Sequence, residues 1–146
     1  MLTQIFIGMV LIGITVMFHA VALHKIFKYI VRLEISWLRH LRLEKAFVLA
    51  AVVLAVFCVL IVEIWVWALL YHFTDIHDIP DLETALYFST AMFTTLGSGD
   101  VMLDKGWRLL GTIEGANGFL LFGWSTAFIF EVVSKVYSRE GKTIEQ

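Results

Sequence analysis

Residues 94–100 of this chain, with the sequence TTLGSGD, have a composition suited to binding a cation through the backbone. Gly97 and Gly99 alternate with other residues, and glycine reaches backbone conformations that are closed to other residues. Successive carbonyl oxygens of such a segment can point to one side and replace the water shell of a cation. Most Gly-X-Gly-Asp strings are simple turns. The segments on either side therefore decide between the two interpretations.

The composition is that of a membrane protein. Of 146 residues, 60% are hydrophobic and 16% are charged, and the mean hydropathy is +0.84. A soluble domain has about a quarter of its residues charged. The single cysteine, Cys58, excludes an intramolecular disulfide. A chain this short cannot enclose a pore alone, so any channel that it forms must be an oligomer.

Three apolar runs, 5–23, 46–70 and 109–133, approach or exceed the roughly 20 residues that a membrane-spanning helix needs. For the first run, a cleaved signal peptide over residues 1–22 is an alternative, because Ala20-Val21-Ala22 could serve as a cleavage site. The first four residues contain no basic residue, which favours a retained helix. Three aromatic residues near the end of the second run predict an aromatic belt at the membrane interface: Trp65, Trp67 and Tyr71.

The charges between these runs are segregated by sign. Residues 24–45 are rich in lysine and arginine and predict a helical extension followed by an amphipathic elbow on the membrane surface. Residues 72–108 are instead rich in aspartate. Because basic loops stay on the cytoplasmic side, we expect the elbow and the C-terminus in the cytoplasm and the N-terminus outside. The expected location is the plasma (cytoplasmic) membrane, crossed several times.

A short helix is predicted inside the acidic segment. Residues 82–94 contain no glycine or proline, Asp81 can cap their N-terminus, and Glu83 lies in the first turn. About 13 residues reach only about 20 Å, which is too short to cross the membrane. The helix should therefore enter the membrane, stop near residue 94 and return as extended chain. Non-helical backbone at that depth is tolerated only where protein buries it or water reaches it.

Two glutamates lie within the apolar runs, Glu63 in the second and Glu114 in the third. Acids inside a membrane are costly and are functional candidates by default. Both lie about two helical turns from the outer interface, so at least one is expected to hydrogen-bond to the short helix or to Thr94, Thr95 or Ser98. In the alternative, Glu63 faces the first helix and Glu114 bridges neighbouring copies of the third helix.

The third run contains four glycines. Gly111 and Gly115 form a Gly-X-X-X-Gly pair, which is typical of a close-packing face between helices. Gly118 and Gly123 are candidate hinges at which the helix bends, because glycine weakens a helix. Close packing is the alternative for these two residues as well. Asn117 or Thr126 is expected to hydrogen-bond across helices.

The order of these segments resembles the pore module of the potassium-channel family, whose filter has the pattern T-x-G-Y-G-D. Thr95, Leu96, Gly97, Gly99 and Asp100 match it, and Ser98 stands where the family has tyrosine or phenylalanine. The resemblance covers about residues 46–137. It implies an all-α membrane protein with three transmembrane helices, a re-entrant pore helix and a selectivity-filter loop, assembled as a tetramer. Residues 1–45 add one helix and the elbow, and residues 138–146 form a short cytoplasmic tail.

The implied function is a cation channel, in which carbonyls of Thr95, Leu96, Gly97 and Ser98 bind the permeating monovalent cation, potassium or sodium. Potassium is the expected ion. Ser98 lacks the family's aromatic ring, so a weakly selective channel or a non-conducting channel-like subunit is an alternative. The expected partners are lipid and further copies of the chain. We expect no enzymatic activity, cofactor, nucleic acid or small-molecule substrate.

A membrane enzyme or metal carrier is the rival interpretation, and it depends on the five histidines. Only two histidine–aspartate pairs have suitable spacing, His72 with Asp75 and His77 with Asp78. Metal sites require larger clusters. The sequence therefore favours the pore.

Overall fold

A computed structural model describes residues 1–34, 42–74, 76–97 and 99–137. Ser98 of the predicted filter, Asp75, residues 35–41 of the predicted elbow and the predicted tail lie outside the described residues. The described elements are four helices, α1 Leu2–Glu34, α2 Arg42–Phe73, α3 Leu82–Phe93 and α4 Arg108–Tyr137. Three of these are long and apolar enough to span a membrane. The prediction of an all-α membrane protein is confirmed.

The spanning helices are longer than the apolar runs predicted. The candidate spans cover Leu2–Ile30, Lys45–Phe73 and Arg108–Tyr137. The backbone hydrogen bonds of a helix continue beyond the apolar run, because long basic side chains bury their stems while their charged ends reach water. Lys25 and Lys28, both exposed, lie in the part of α1 beyond the first apolar run. The predicted helical extension after the first apolar run is confirmed, since α1 continues to Glu34.

One face of α1 packs against the other helices. Its buried positions recur three, four or seven residues apart and include Gln4, Leu11, Thr15, His19 and Leu23. This spacing places them in one stripe along the helix. Large apolar residues such as Met9 and Met17 are exposed on other faces, as expected for a helix in contact with lipid. α1 contacts both α2 and α4.

The short helix α3 packs against α2 and α4. Trp67 and Tyr71 of α2 are fully buried in this core, and the ring of Tyr71 meets that of Phe88 edge-on at 5.1 Å. The predicted aromatic belt is therefore wrong for these two residues, whereas Trp65 is exposed. The physical reason is register, because residues four apart share one helical face and a residue two positions away points elsewhere.

Candidate ion-binding site

The N-terminus of α3 is fixed by its cap. The carboxylate of Asp81 accepts a hydrogen bond of 2.7 Å from the backbone amide of Thr84, and Glu83 lies in the first turn. That amide hydrogen bond lowers the pKa of Asp81 below its usual value. The predicted cap is confirmed, and the helix ends at Phe93, one residue before the predicted end.

The C-terminal end of α3 rests on α4 at a glycine. A β-carbon at Gly118 would lie 2.0 Å from the carbonyl oxygen of Phe93, and one at Gly115 would lie 3.2 Å from that of Met92. Gly118 is ten residues, about 15 Å, from the start of α4 at Arg108. A bilayer core is about 30 Å thick, so an α4 that begins at the membrane surface would place the end of α3 about halfway through it. The chain then returns to Arg108, which is the course of a re-entrant loop.

The segment after α3 has an unusual backbone. Thr95 has φ of 62° and Gly97 has φ of 75°. Positive φ is rare for a β-branched residue such as threonine. Such a conformation costs about 1–3 kcal/mol and persists where the surroundings enforce it, often at a functional site. The side chain of Leu96, between these two residues, is 83% exposed in the single chain.

Hydrogen bonds join this segment to the last turn of α3. The amide of Thr94 donates to the carbonyl of Thr90 at 3.0 Å, that of Thr95 to Met92 at 2.9 Å and that of Gly97 to Ala91 at 3.0 Å. The last turn of a helix leaves four carbonyls without partners inside the helix. Three of them are used here to hold the loop, so the end of α3 and the loop form one unit.

Side chains hold the outer end of the loop. The hydroxyl of Tyr87 donates to the carboxylate of Asp100 at 3.2 Å, and this contact raises the pKa of Tyr87. The amide of Asp104 donates to Asp78 at 3.0 Å, and the carbonyl of Asp104 accepts from the amide of Arg108 at 3.0 Å. The returning chain is thus tied both to α3 and to the start of α4.

Glu114 connects three helices behind the loop. Its carboxyl group lies 2.8 Å from the hydroxyl of Tyr71 on α2 and 2.5 Å from the hydroxyl of Ser89 on α3. Ser89 also contacts the carbonyl of Ile64 at 3.0 Å. Glu114, Tyr71 and Ser89 are fully buried. One intramembrane acid therefore bonds to the pore helix, as expected, but at a residue that the sequence interpretation did not single out.

The signal for Ser89 was present in the sequence pattern. Ser89 lies four residues from both Ala85 and Phe93, and all three are on the buried face of α3. A polar side chain on an apolar face needs a hydrogen-bond partner once it is buried. The contact with Glu114 lies 25 residues away along the chain, so spacing alone could not identify the partner.

Glu63 and Thr94 are arranged differently from the predicted filter support. Glu63 bonds to His19 of α1 at 2.9 Å, with both side chains fully buried, which is the arrangement given as the alternative. The hydroxyl of Thr94 donates to the carbonyl of Thr90 in its own helix at 2.7 Å. His19, one of the five histidines behind the metal-carrier interpretation, is bonded to Glu63. In the part of the chain that the structure describes, no group of three or more metal-ligating side chains occurs.

The glycines of α4 divide into two groups. Gly111, Gly115 and Gly118 face α3, where a β-carbon would meet Phe88, Met92 and Phe93 respectively at 3.2 Å or less. The predicted close-packing face is confirmed for Gly111 and Gly115. No atom lies within 4 Å of a β-carbon built on Gly123. Hinge bending at Gly118 or Gly123 stays a prediction.

Comparison with known proteins agrees with this geometry. A family model described as "Ion channel" matches residues 55–135, from α2 to the end of α4. The chain is also 32% identical over 79 residues to an uncharacterised membrane protein of Bacillus subtilis (strain 168), YdjJ. That match covers 48% of this chain and 23% of the relative, so the chain spans about a quarter of the relative's length. No solved structure matches the chain.

The family match covers more than half of the chain and includes α3 and the loop after it. The chain belongs to this ion-channel family.

Proposed function

We propose that four copies of this chain form a channel for monovalent cations, with potassium as the expected ion. The permeating ion binds to backbone carbonyls of Thr95, Leu96, Gly97 and Ser98 and to the hydroxyl of Thr95. One observation carries the proposal: α3 ends against Gly118 of α4, in a loop that has positive φ at both Thr95 and Gly97. Alternating backbone conformations of this kind allow successive carbonyls to face one side.

The exposure of the loop supports assembly around a central axis. Backbone at this depth has to be covered by protein or reached by water, yet Leu96 is 83% exposed in one protomer. The inner helix α4 is similarly uncovered at Phe119, which is 69% exposed, and at Phe130, which is 73% exposed. Further copies around the axis cover these surfaces and leave a water-filled path for the ion.

Two electrostatic features favour cations over anions. The C-terminal end of α3 carries partial negative charge and points toward the region below the loop. Acidic residues crowd the opposite end, where Asp78, Asp81, Asp100 and Asp104 lie between the spanning helices. Negative charge at a pore entrance raises the local concentration of cations. By the charge pattern of the loops, this entrance faces outside and the C-terminus is cytoplasmic.

Ser98 bears on selectivity. The resemblance implies an aromatic ring at this position, packed behind the filter, and serine removes that ring while it keeps the carbonyl. A less rigid ring of carbonyls discriminates less between potassium and sodium if selectivity depends on a fixed cavity size. A weakly selective cation channel is therefore the second candidate function.

Two measurements on the purified protein test the proposal. Native mass determination in detergent is expected to give four protomers. Current through the reconstituted protein, with potassium on one side and sodium on the other, is expected to reverse at a potential that shows preference for potassium. A reversal potential near zero favours the weakly selective channel. A tetramer that carries no current, or a stable monomer, contradicts the proposal.

A further inference from the structure

Polar contacts in the membrane hold α1 against the inner helix at two points. The side-chain amide of Asn117 on α4 donates to the hydroxyl oxygen of Thr15 at 2.9 Å. About one turn further along α1, His19 Nε2 lies 3.3 Å from the hydroxyl of Ser125 on α4. All four side chains are buried. These two contacts are called the α1 clamp below.

The second contact of the α1 clamp is also anchored to α2. His19 Nδ1 lies 2.9 Å from Glu63 Oε1, and both side chains are fully buried. The Trp124 ring packs near the imidazole of His19, with 5.3 Å between ring centres. A single histidine therefore connects α1, α2 and α4, and any movement of Ser125 away from it breaks a buried contact.

In a membrane, apolar contact alone does not fix one helix on another. Lipid tails are as apolar as leucine, so association depends on close packing and on hydrogen bonds between helices. The α1 clamp supplies such bonds. Intramembrane ionisable groups are costly and are therefore functional candidates. The described hydrogen bonds of His19 and Glu63 join them to each other and to Ser125, and not to the loop at residues 94–97.

The two contacts of the clamp bracket the glycines at which bending is proposed. Gly118 and Gly123 both lie between Asn117 and Ser125. The part of α4 that is N-terminal to Gly118 is packed against α3. Ser125 is seven residues, about 10 Å, beyond Gly118. A kink of about 20° just C-terminal to Gly118 would move Ser125 by about 3.5 Å. Such a displacement exceeds what the His19–Ser125 contact can tolerate.

We propose that α1 restricts bending of the inner helix α4. In this role His19 and Glu63 are positioning residues, which keep α4 straight by means of the contact between His19 and Ser125. The inference rests on the proposed channel function and adds a role for α1, which lies outside the segment that the ion-channel family model matches. α1 cannot follow a bending α4, because Glu63 holds His19 on α2. Bending therefore requires that the contact between His19 and Ser125 opens.

The test combines channel recording with a chemical measurement that does not depend on current. Cys58 is the single cysteine of the chain, so Cys58→Ala gives a cysteine-free background. Leu121, 1% exposed, lies between Asn117 and Ser125 with four-residue spacing and therefore on the same face of α4. The variant Leu121→Cys reports, through its rate of reaction with a small thiol reagent, whether α1 covers this face.

In this background, Ser125→Ala is expected to change the ratio of open to closed channels about fivefold, because that is the effect of one net hydrogen bond. His19→Ala also removes the contact with Glu63 and is expected to change the ratio in the same direction by at least that factor. Both should also speed thiol reaction at residue 121 by a similar factor. Ser125→Thr keeps a hydroxyl, so its open-to-closed ratio and its rate of thiol reaction at residue 121 should equal those of the parent. Thr126→Ala is the matched control, because the exposed Thr126 bonds only to Phe122 of its own helix.

Each outcome decides the proposal. A change in the rate of thiol reaction without a change in open probability shows that the contacts are only structural, and it overturns the proposal that α1 restricts bending of α4. Parental values of both quantities in Ser125→Ala and His19→Ala overturn it as well. If the parent itself carries no current, the proposed function fails. The thiol measurement then decides by itself whether these residues hold α1 on α4.

Discussion

Gly118 and the carbonyl of Phe93 are in direct contact, so that a β-carbon at position 118 would lie 2.0 Å from the carbonyl oxygen. No rotamer change relieves this overlap, because the obstructing atoms belong to the backbone. The close approach fixes the end of α3 on α4. The position of the loop at residues 94–97 depends on it.

We therefore expect Gly118→Ala to displace the end of α3 and abolish current, with a loss of stability of about 1–3 kcal/mol, as for other overpacked sites. Gly123→Ala is the matched control, since no atom lies within 4 Å of its β-carbon. It should assemble normally and alter only opening, if the helix bends there. Thermal unfolding of the purified protein and channel recording measure both effects. Normal stability and normal current in Gly118→Ala would contradict the close contact.

Glu114 should be replaceable by glutamine but not by alanine. Glutamine keeps an acceptor for Tyr71 and offers a donor to Ser89, whereas alanine leaves the buried hydroxyl of Tyr71 without its acceptor and leaves Ser89 with the carbonyl of Ile64 alone. Each buried group without a partner costs about 1–3 kcal/mol. We expect Glu114→Ala to lower the melting temperature of the tetramer and to weaken ion selectivity, and Glu114→Gln to retain both. Parental selectivity and stability in Glu114→Ala would show that this residue does not support the filter.

The N-terminal cap of α3 should depend on pH in a defined direction. Because hydrogen bonding holds the pKa of Asp81 below its usual value of 3.8, its stabilising contribution is complete above that value and is lost as the pH falls through the lower folded pKa. At pH 7, Asp81→Ala should speed hydrogen exchange at the Thr84 amide, while Asp81→Asn, another good capping residue, should not. Equal exchange in all three proteins would mean that the cap does not protect this amide.

The sequence predicted features that local chemistry determines. Asp81 caps α3 because a short acidic side chain before an apolar helix satisfies free amides. Apolar length and charge sign likewise located the three spanning helices. These features depend on neighbours in sequence, so they can be recognised without coordinates.

Contacts between distant helices could not be predicted in the same way. His19 and Glu63 are 44 residues apart, and their pairing depends on the rotation of α1 and α2 about their axes. The same rotation buries Tyr71 beside Glu114, where the sequence indicated an interfacial residue. A stripe of apolar residues predicts which face of a helix is buried but not which helix covers it.

The backbone at Gly97 gives the most direct test of the central claim, that residues 95–98 line the ion path. Gly97 has φ of 75° and no neighbouring atom within 4 Å in the single chain, so an alanine there is disfavoured by its backbone conformation and not by crowding. Gly13→Ala, on α1, is the control, because Gly13 has space for a β-carbon and no positive φ.

The measurement is potassium current through equal amounts of reconstituted protein. The parent and Gly13→Ala are expected to conduct equally, and Gly97→Ala is expected to carry no current although it still assembles. Undiminished potassium current through Gly97→Ala would contradict the assignment of this loop as the ion path.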